Sequence, residues 1–357
     1  MLGLSMKWLN LTASLLLPMA ALAQIPASTP AKPETNTEPQ ACAACHTKAR
    51  TQPLTSMAHA LESVAECQVL IRNPLLTFQQ GPYTYRIERK GGLSFYSVSD
   101  GAQTTTVPIA WAMGSSSAVG QTYLFQRDNE FYESRVSFFS ALNGLGITIG
   151  HESSPPATFA EAAGRRLGPS DTLRCFGCHA TRAVKGRQLN LGDMAPGVQC
   201  ERCHGSSSDH LARALHGDPK VSAINSLGRM TTDDVSDFCG QCHRTWEEIA
   251  LSGRVDISNV RFQPYRLTQS QCYDGDDRRI SCVACHDPHQ ELDPVAQHYD
   301  SKCLACHGGG KPGARACRVA KENCTTCHMP KVDLPGAHHK FSDHRIRVVK
   351  LNETFPK

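Results

Sequence analysis

The chain has 357 residues, of which 37 are Lys or Arg, 33 Asp or Glu, 16 His and 17 Cys, and 40% are hydrophobic. Its length suits one large domain or two ordinary ones, and no apolar run reaches the ~20 residues of a permanent membrane helix, which excludes a polytopic membrane protein. A formal charge of +4 without a Lys/Arg run argues against nucleic acid, and so long a chain is not a disulfide-stapled miniprotein despite its cysteines.

Residues 1–23 read as a signal peptide. Lys7 precedes an apolar stretch from Trp8 to Leu22, and Ala21-Leu22-Ala23 has the small-x-small form of a cleavage site before Gln24. A retained anchor is the alternative, weakened by the shortness of the stretch and by Pro18. No Cys follows the cleavage site, which argues against a lipid anchor. Export puts the cysteines in an oxidising compartment, the periplasm or the cell surface. Residues 24–40, rich in Pro, Thr and Ala, read as a disordered linker. Residues 41–67 form a first motif-bearing segment around Cys42-Ala43-Ala44-Cys45-His46.

Residues 68–155 read as an antiparallel β insert. Tyr83, Tyr85 and Ile87 alternate with Thr84, Arg86 and Glu88. Leu93 to Val98, Thr104 to Ile109, Gln121 to Phe125 and Glu130 to Phe139 continue the strand-like composition. Lys90-Gly91-Gly92, Ser99-Asp100-Gly101 and Arg127-Asp128-Asn129 mark turns between them. A small meander is expected. Residues 156–350 carry six more motifs, with Pro and Gly interrupting most stretches. Asp233–Ser252 is one predicted helix, capped by Asp234 or Ser236, with Trp246, Ile249 and Ala250 facing inward.

The motif is Cys-x-x-Cys-His, and it occurs seven times. The first three copies are Cys42 and Cys45 with His46, Cys175 and Cys178 with His179, and Cys200 and Cys203 with His204. Then come Cys239 and Cys242 with His243, Cys282 and Cys285 with His286, Cys303 and Cys306 with His307, and Cys324 and Cys327 with His328. Composition alone predicts about 0.04 copies. The spacing has a chemical reason. Two thiols three positions apart form thioethers to the two vinyl groups of one porphyrin, and the following His coordinates the iron. Zinc sites use Cys-x-x-Cys pairs without requiring His after each one, and disulfide redox motifs do not recur seven times with His attached. The expected cofactors are seven covalently attached haems c. They would add about −7 charges when oxidised and −14 when reduced, which reverses the sign of the chain's own charge. Six motifs between Cys175 and His328 leave little polypeptide for an apolar core. The expected fold is therefore a mainly α and irregular multihaem cytochrome c with stacked haems, low in regular secondary structure, plus the small β insert. The insert serves either as a docking surface or as a lid over haem edges, and the lid is preferred.

The motif histidines are the expected proximal ligands. Nine others remain, enough for every iron to be bis-His: His59, His151, His210, His216, His289, His298, His338, His339 and His344. The distal candidates are His59, His151, His210, His289, His298, His338 and His344, with His216 and His339 competing for the last place. A His just beyond a motif lies too near its own haem's proximal face and caps a neighbour instead. Met57, Met113, Met194 and Met230 are weaker candidates, since Met is more often a core residue. Of the cysteines outside the motifs, Cys67, Cys272 and Cys317, the pair Cys272 and Cys317 is the first choice for a disulfide, against three buried thiols.

The stretch Gly197-Val198-Gln199-Cys200-Glu201-Arg202-Cys203-His204-Gly205 with His210 resembles exported multihaem cytochromes c related to the tetrahaem cytochrome that accepts electrons from hydroxylamine oxidoreductase. So do Cys285-His286-Asp287-Pro288-His289 and Cys327-His328-Met329-Pro330 with His338 and Phe341-Ser342-Asp343-His344. The resemblance covers roughly residues 175–350 and the first motif. It implies stacked haems, mostly bis-His ligation, electron transfer, and His210, His289, His338 and His344 as distal ligands. Seven motifs and a β insert depart from the tetrahaem pattern, so that family's partner and haem order do not carry over. Electron carriage between other redox proteins is the first functional expectation. A reductase or oxidase of a small nitrogen or sulfur compound needs an open iron, which some nitrite reductases mark with Lys in place of the motif His; no motif here has one. A structural subunit of a surface conduit or haem filament is the third.

Overall fold

The computed structural model describes residues 39–115, 119–218, 226–309, 315–350, 352–353 and 355. The expected signal peptide and nearly all of the expected linker lie outside the described residues. Among those residues, no helix is long and apolar enough to cross a membrane.

The dominant element is a nine-stranded antiparallel sheet. Its strands are β1 (Leu61–Ser63), β2 (Leu75–Gln80), β3 (Tyr83–Lys90), β4 (Leu93–Ser99), β5 (Thr104–Met113), β6 (Gly120–Arg127), β7 (Glu130–Phe139), β8 (Gly144–Ile147) and β9 (Arg165–Arg166). Strands β2 to β8 pair in sequence order, β1 pairs with β5, and β9 pairs with β7. The outer strands β2 and β8 also approach one another, so the sheet nearly closes. Closure suits seven consecutive strands with one apolar face, because it removes most of the exposed edge.

This corrects the expected fold class. The described residues are 34% helical and 24% strand, which does not fit a mainly helical fold. The sheet is also not a small appendage. Period-two alternation sends Tyr83, Tyr85 and Ile87 of β3, Tyr96 and Val98 of β4, and Tyr123 and Phe125 of β6 to one interior. That interior is a complete hydrophobic core, built without any motif. Asp128 and Asn129 both have positive φ (52° and 62°), the two-residue turn whose twist suits the β6–β7 hairpin. Register shifts between Ile109 and Trp111 and between Thr122 and Leu124 bend β5 and β6. Arg135, 5% exposed, donates to Gln80 Oε1 (3.0 Å) and to the carbonyls of Glu152 (2.9 Å) and Ser154 (2.8 Å), tying the following loop to the sheet.

Elsewhere the helices are short, and the two longest, Pro169–His179 and Thr232–His243, end on motifs, as does Asp300–His307. The helix expected over 233–252 is two. Thr231 and Asp234 form a reciprocal capping box for the first. Arg244, with φ of 70°, then breaks the run before Trp246–Ser252. Of the three expected inward residues only Ile249 is buried, and Trp246 is 53% exposed.

The two regions interlock at the Pro169–His179 helix. Phe176 is fully buried, with Phe131 of β7 at 5.0 Å and Trp111 of β5 edge-on at 6.4 Å. Met113 and Met194 are buried in the same cluster. Gly197 (φ 74°) marks a second close approach. A Cβ there would stand 1.8 Å from the Ala58 carbonyl oxygen, and the neighbouring Val198 N–H donates to Met57 O at 2.9 Å.

Cys67 is fully buried beside Gln121 Oε1 (2.9 Å), and burial pushes its thiol up to about 11. Cys317 is exposed and its thiol is lowered by the Ala320 and Val319 backbone amides. Cys317 is a free thiol, so the expected disulfide with Cys272 is not formed, and the three cysteines outside the motifs range from buried to exposed. Two outcomes follow from this packing. Iodoacetamide at pH 8 should label Cys317 rapidly and leave Cys67 unlabelled until the chain is unfolded, as read by peptide mass spectrometry. Gly197→Ala should destabilise the protein by at least ~1–2 kcal/mol, the cost of a left-handed backbone for a residue with a Cβ, as read by urea unfolding.

Candidate functional site

Each motif folds on a helical turn or the end of a helix. Cysteines three apart on such a turn share one face, and the next residue begins to leave the helix. In the first and fifth motifs the His46 and His286 amides both donate back to the first cysteine's carbonyl at 2.9 Å. Asp300, at the start of the sixth motif's helix, accepts from the Asn323 (2.6 Å) and Cys324 (2.9 Å) amides, which places the seventh motif beside the sixth.

Other sulfurs of different motifs meet directly. Cys42 contacts Cys200, Cys178 contacts Cys242, Cys239 contacts Cys282, and Cys303 contacts Cys324. Arg202 of the third motif reaches Gln241 Oε1 (3.5 Å) and Cys242 Sγ (3.7 Å) of the fourth. Cys306, the second sulfur of the sixth motif, is half-buried. It lies near Arg279, a residue just ahead of the fifth motif whose guanidinium is held by Asp277.

Three expected distal histidines face motif histidines. The ring centres are 6.1 Å apart for His46 and His210, 5.9 Å for His204 and His289, and 6.2 Å for His286 and His344. Two imidazoles sharing one metal, each with a nitrogen about 2 Å from it and about 1.1 Å from its own ring centre, would have centres about 6.3 Å apart. The three gaps therefore fit one iron each. In every pair the second His lies beyond a motif other than its partner's.

The hydrogen bonds fit the same chemistry. Carbonyl oxygens accept from Nδ1 of His179 (Ala60, 2.9 Å), His307 (Arg315, 2.9 Å), His328 (Arg347, 2.8 Å) and His344 (Ser342, 3.0 Å). A carbonyl can only accept, so the proton sits on Nδ1 and Nε2 keeps a lone pair. Burial, and next the His286 ring, push His344 down to about 4. Burial also lowers His179, His243 and His286, which keeps these rings in the neutral form that binds metal.

The other distal candidates lie elsewhere. His59 pairs with Glu62 at 3.0 Å, and His298 pairs with Asp293. His151 meets Glu133 at 3.1 Å on the sheet, where Arg165 also binds that carboxylate. His338, with φ of 51°, packs its ring on Phe139 at 4.8 Å, and the neighbouring His339 packs on Phe341. These positions carry no sequence signal that separates them from the three that face motifs.

Long-range polar contacts hold the paired histidines. Lys48 bridges to Asp287 (3.0 Å) and Glu291 accepts from the Ser56 amide (2.5 Å), joining the first segment to the loop that carries His289. Asp287 also binds His289 Nδ1 at 2.9 Å. Beside His344, Asp343 is fully buried and takes Arg266 Nε (2.8 Å) and Nη2 (2.9 Å) in a fork, plus Arg347 Nη1 (2.7 Å). The sequence gives no hint of this ion pair, because its members are 77 residues apart.

Residues 154–205 match the family model described as cytochrome c554 and c-prime. The multihaem cytochrome MtrA of Shewanella baltica (strain OS185) is 21% identical over 218 residues, 57% of this chain and 56% of that protein. The chain thus spans little more than half the length of that curated relative. The crystal structure of the outer cell wall cytochrome OcwA aligns over 86% of this chain and 78% of that one, with a TM-score of 0.47 and 14% identity. The family and curated matches support a multihaem c-type cytochrome with covalently bound haem c.

Asp343→Ala should cost about 3–5 kcal/mol, because it strands the Arg266 guanidinium in the interior. Urea unfolding of the holoprotein checks this.

Proposed function

We propose that this chain is an exported cytochrome that carries seven haems c, one per motif, and relays electrons between other redox proteins. The observation that carries the reading is the succession of contacts between motifs. Sulfur contacts and the Arg202 bridge run from motif one to three, four and five, with motif two joined at four. Cys285 lies near Cys303, and Cys303 meets Cys324, which extends the succession through six to seven. An electron carrier needs this contiguity, and it needs no substrate pocket. Haem c supplies the one-electron chemistry when bound. The chain's residues anchor each ring through two sulfurs, hold Nε2 of His179, His307 and His328 free of protons through their Nδ1 hydrogen bonds, and supply a second imidazole at motifs one, three and five.

On this reading His210, His289 and His344 are the distal ligands for motifs one, three and five. Residues 1–23, read as a signal peptide, support export to the periplasm or the cell surface, where covalent haem attachment takes place. The partners are redox proteins that dock transiently at the surface, and assembly into a larger surface complex is compatible with the sheet.

Intact-mass spectrometry of the holoprotein should show the mature chain plus seven haems. Carbon monoxide should not reach the three irons that His210, His289 and His344 cap in the dithionite-reduced wild type. His289→Ala should open one more iron, so that the response to the gas grows by about one-seventh of the haem absorbance. Fewer than seven haems would sink the stoichiometry, and a variant with no added response would sink the ligand assignment.

A further inference from the structure

Beside the fourth motif lies a group of polar atoms with nothing to bind. Arg261 Nε and Asn259 Oδ1 are both buried without a hydrogen-bond partner. Arg261 and Arg244 both stack on Phe262, each 5.9 Å from the ring centre. Arg254 is a third cation close to Arg261. The nearby carboxylates are already engaged. Glu248 is shared by Arg244 and by Arg174 (3.2 Å), and Asp256 accepts from the Ser258 amide at 2.7 Å. Among the described residues Arg261 has no ion pair of its own. A guanidinium nitrogen buried without an acceptor costs far more than one left in water, and it persists where a further group completes it.

The position says which group. Arg244 follows His243 directly, and the Gln263 side chain lies against the His243 ring. We infer that Arg261, with Arg244 and Arg254 around Phe262, receives a carboxylate, and that the carboxylate is a propionate of the haem on the fourth motif. This rests on the haem assignment proposed above. A guanidinium matches a carboxylate through two parallel N–H donors, and it brings a charge that offsets the propionate. The arrangement has a redox consequence. Reducing the iron removes one positive charge from the porphyrin core, so a nearby fixed cation favours the reduced state and raises that haem's potential.

The test is a potentiometric titration of holoprotein, followed by electron paramagnetic resonance of the low-spin ferric signals. Arg261→Gln should lower one midpoint and leave the others in place, and Arg261→Lys should restore most of the fall. Arg254→Gln removes a cation close to Arg261 without touching the fourth motif. It should lower the same midpoint by a smaller step, which covers the case of a poorly folding Arg261→Gln. Nitrite and inorganic phosphate should leave wild-type potentials unchanged. If either anion shifts a wild-type midpoint and Arg261→Gln abolishes the shift, the cluster binds a small oxyanion and the propionate assignment is overturned. Fully loaded variants with unaltered midpoints overturn the anion site altogether. Intact mass separates these results from a failure of the haem reading, because a wild-type protein short of haem fails before any midpoint is compared.

Discussion

Between Cys175 and His328 six motifs claim so much of the chain that the polypeptide there cannot bury a core of its own, and the rest of the architecture answers to that shortage. Helices stay short, and those that carry a motif stop at or beside the motif histidine. The buried apolar cluster in the middle of this region holds only Ile249, Phe262 and Tyr265. The sheet, by contrast, encloses tyrosines, phenylalanines and branched residues from almost every strand. Burial scales with uninterrupted chain, and only residues 61–166 have enough of it without a motif. The molecule thus joins a self-sufficient β structure to a region whose interior is meant for porphyrins.

The sheet is more than an appendage because the join is made of core residues. Phe176 lies one position after the first cysteine of the second motif, and it is buried against β5 and β7. The strand that opens the sheet, β1, follows directly on the segment of the first motif. The first two motifs are therefore tethered to the most rigid part of the chain, one through a short connection and the other through an aromatic cluster. His151 lies beside this sheet and pairs with Glu133 of β7, the carboxylate that Arg165 also binds.

In the motif region, order comes from polar contacts over long sequence distances. The Arg266–Asp343 fork, the Lys48–Asp287 bridge and the Asp300 contacts to the seventh motif each fix one motif or ligand loop against another. The Arg266–Asp343 pair is buried, and a buried charge pair adds little net stability compared with apolar packing, yet breaking one is expensive, so it specifies a single arrangement. That suits a site where the second imidazole must stand about 6 Å from the first, a tolerance that flexible loops alone do not hold.

The amino-acid sequence by itself pointed to the chemistry: the spacing of Cys-x-x-Cys-His is local, so seven copies of the motif, and the haem c chemistry they suggest, are legible without any structure. It also showed the strands from Tyr83 to Phe139, because period-two alternation and turn residues are local signals too. It misjudged the weight of that region, since the closing of β2 toward β8 and the added β1 and β9 depend on contacts between distant segments. It named His210, His289 and His344 together with four other candidates, and the family resemblance singled out these three and His338. Which histidine faces which motif depends on contacts between distant segments, among them the polar contacts that hold the His289 loop and the His344 segment. Those are long-range interactions, and only the tertiary structure decides them.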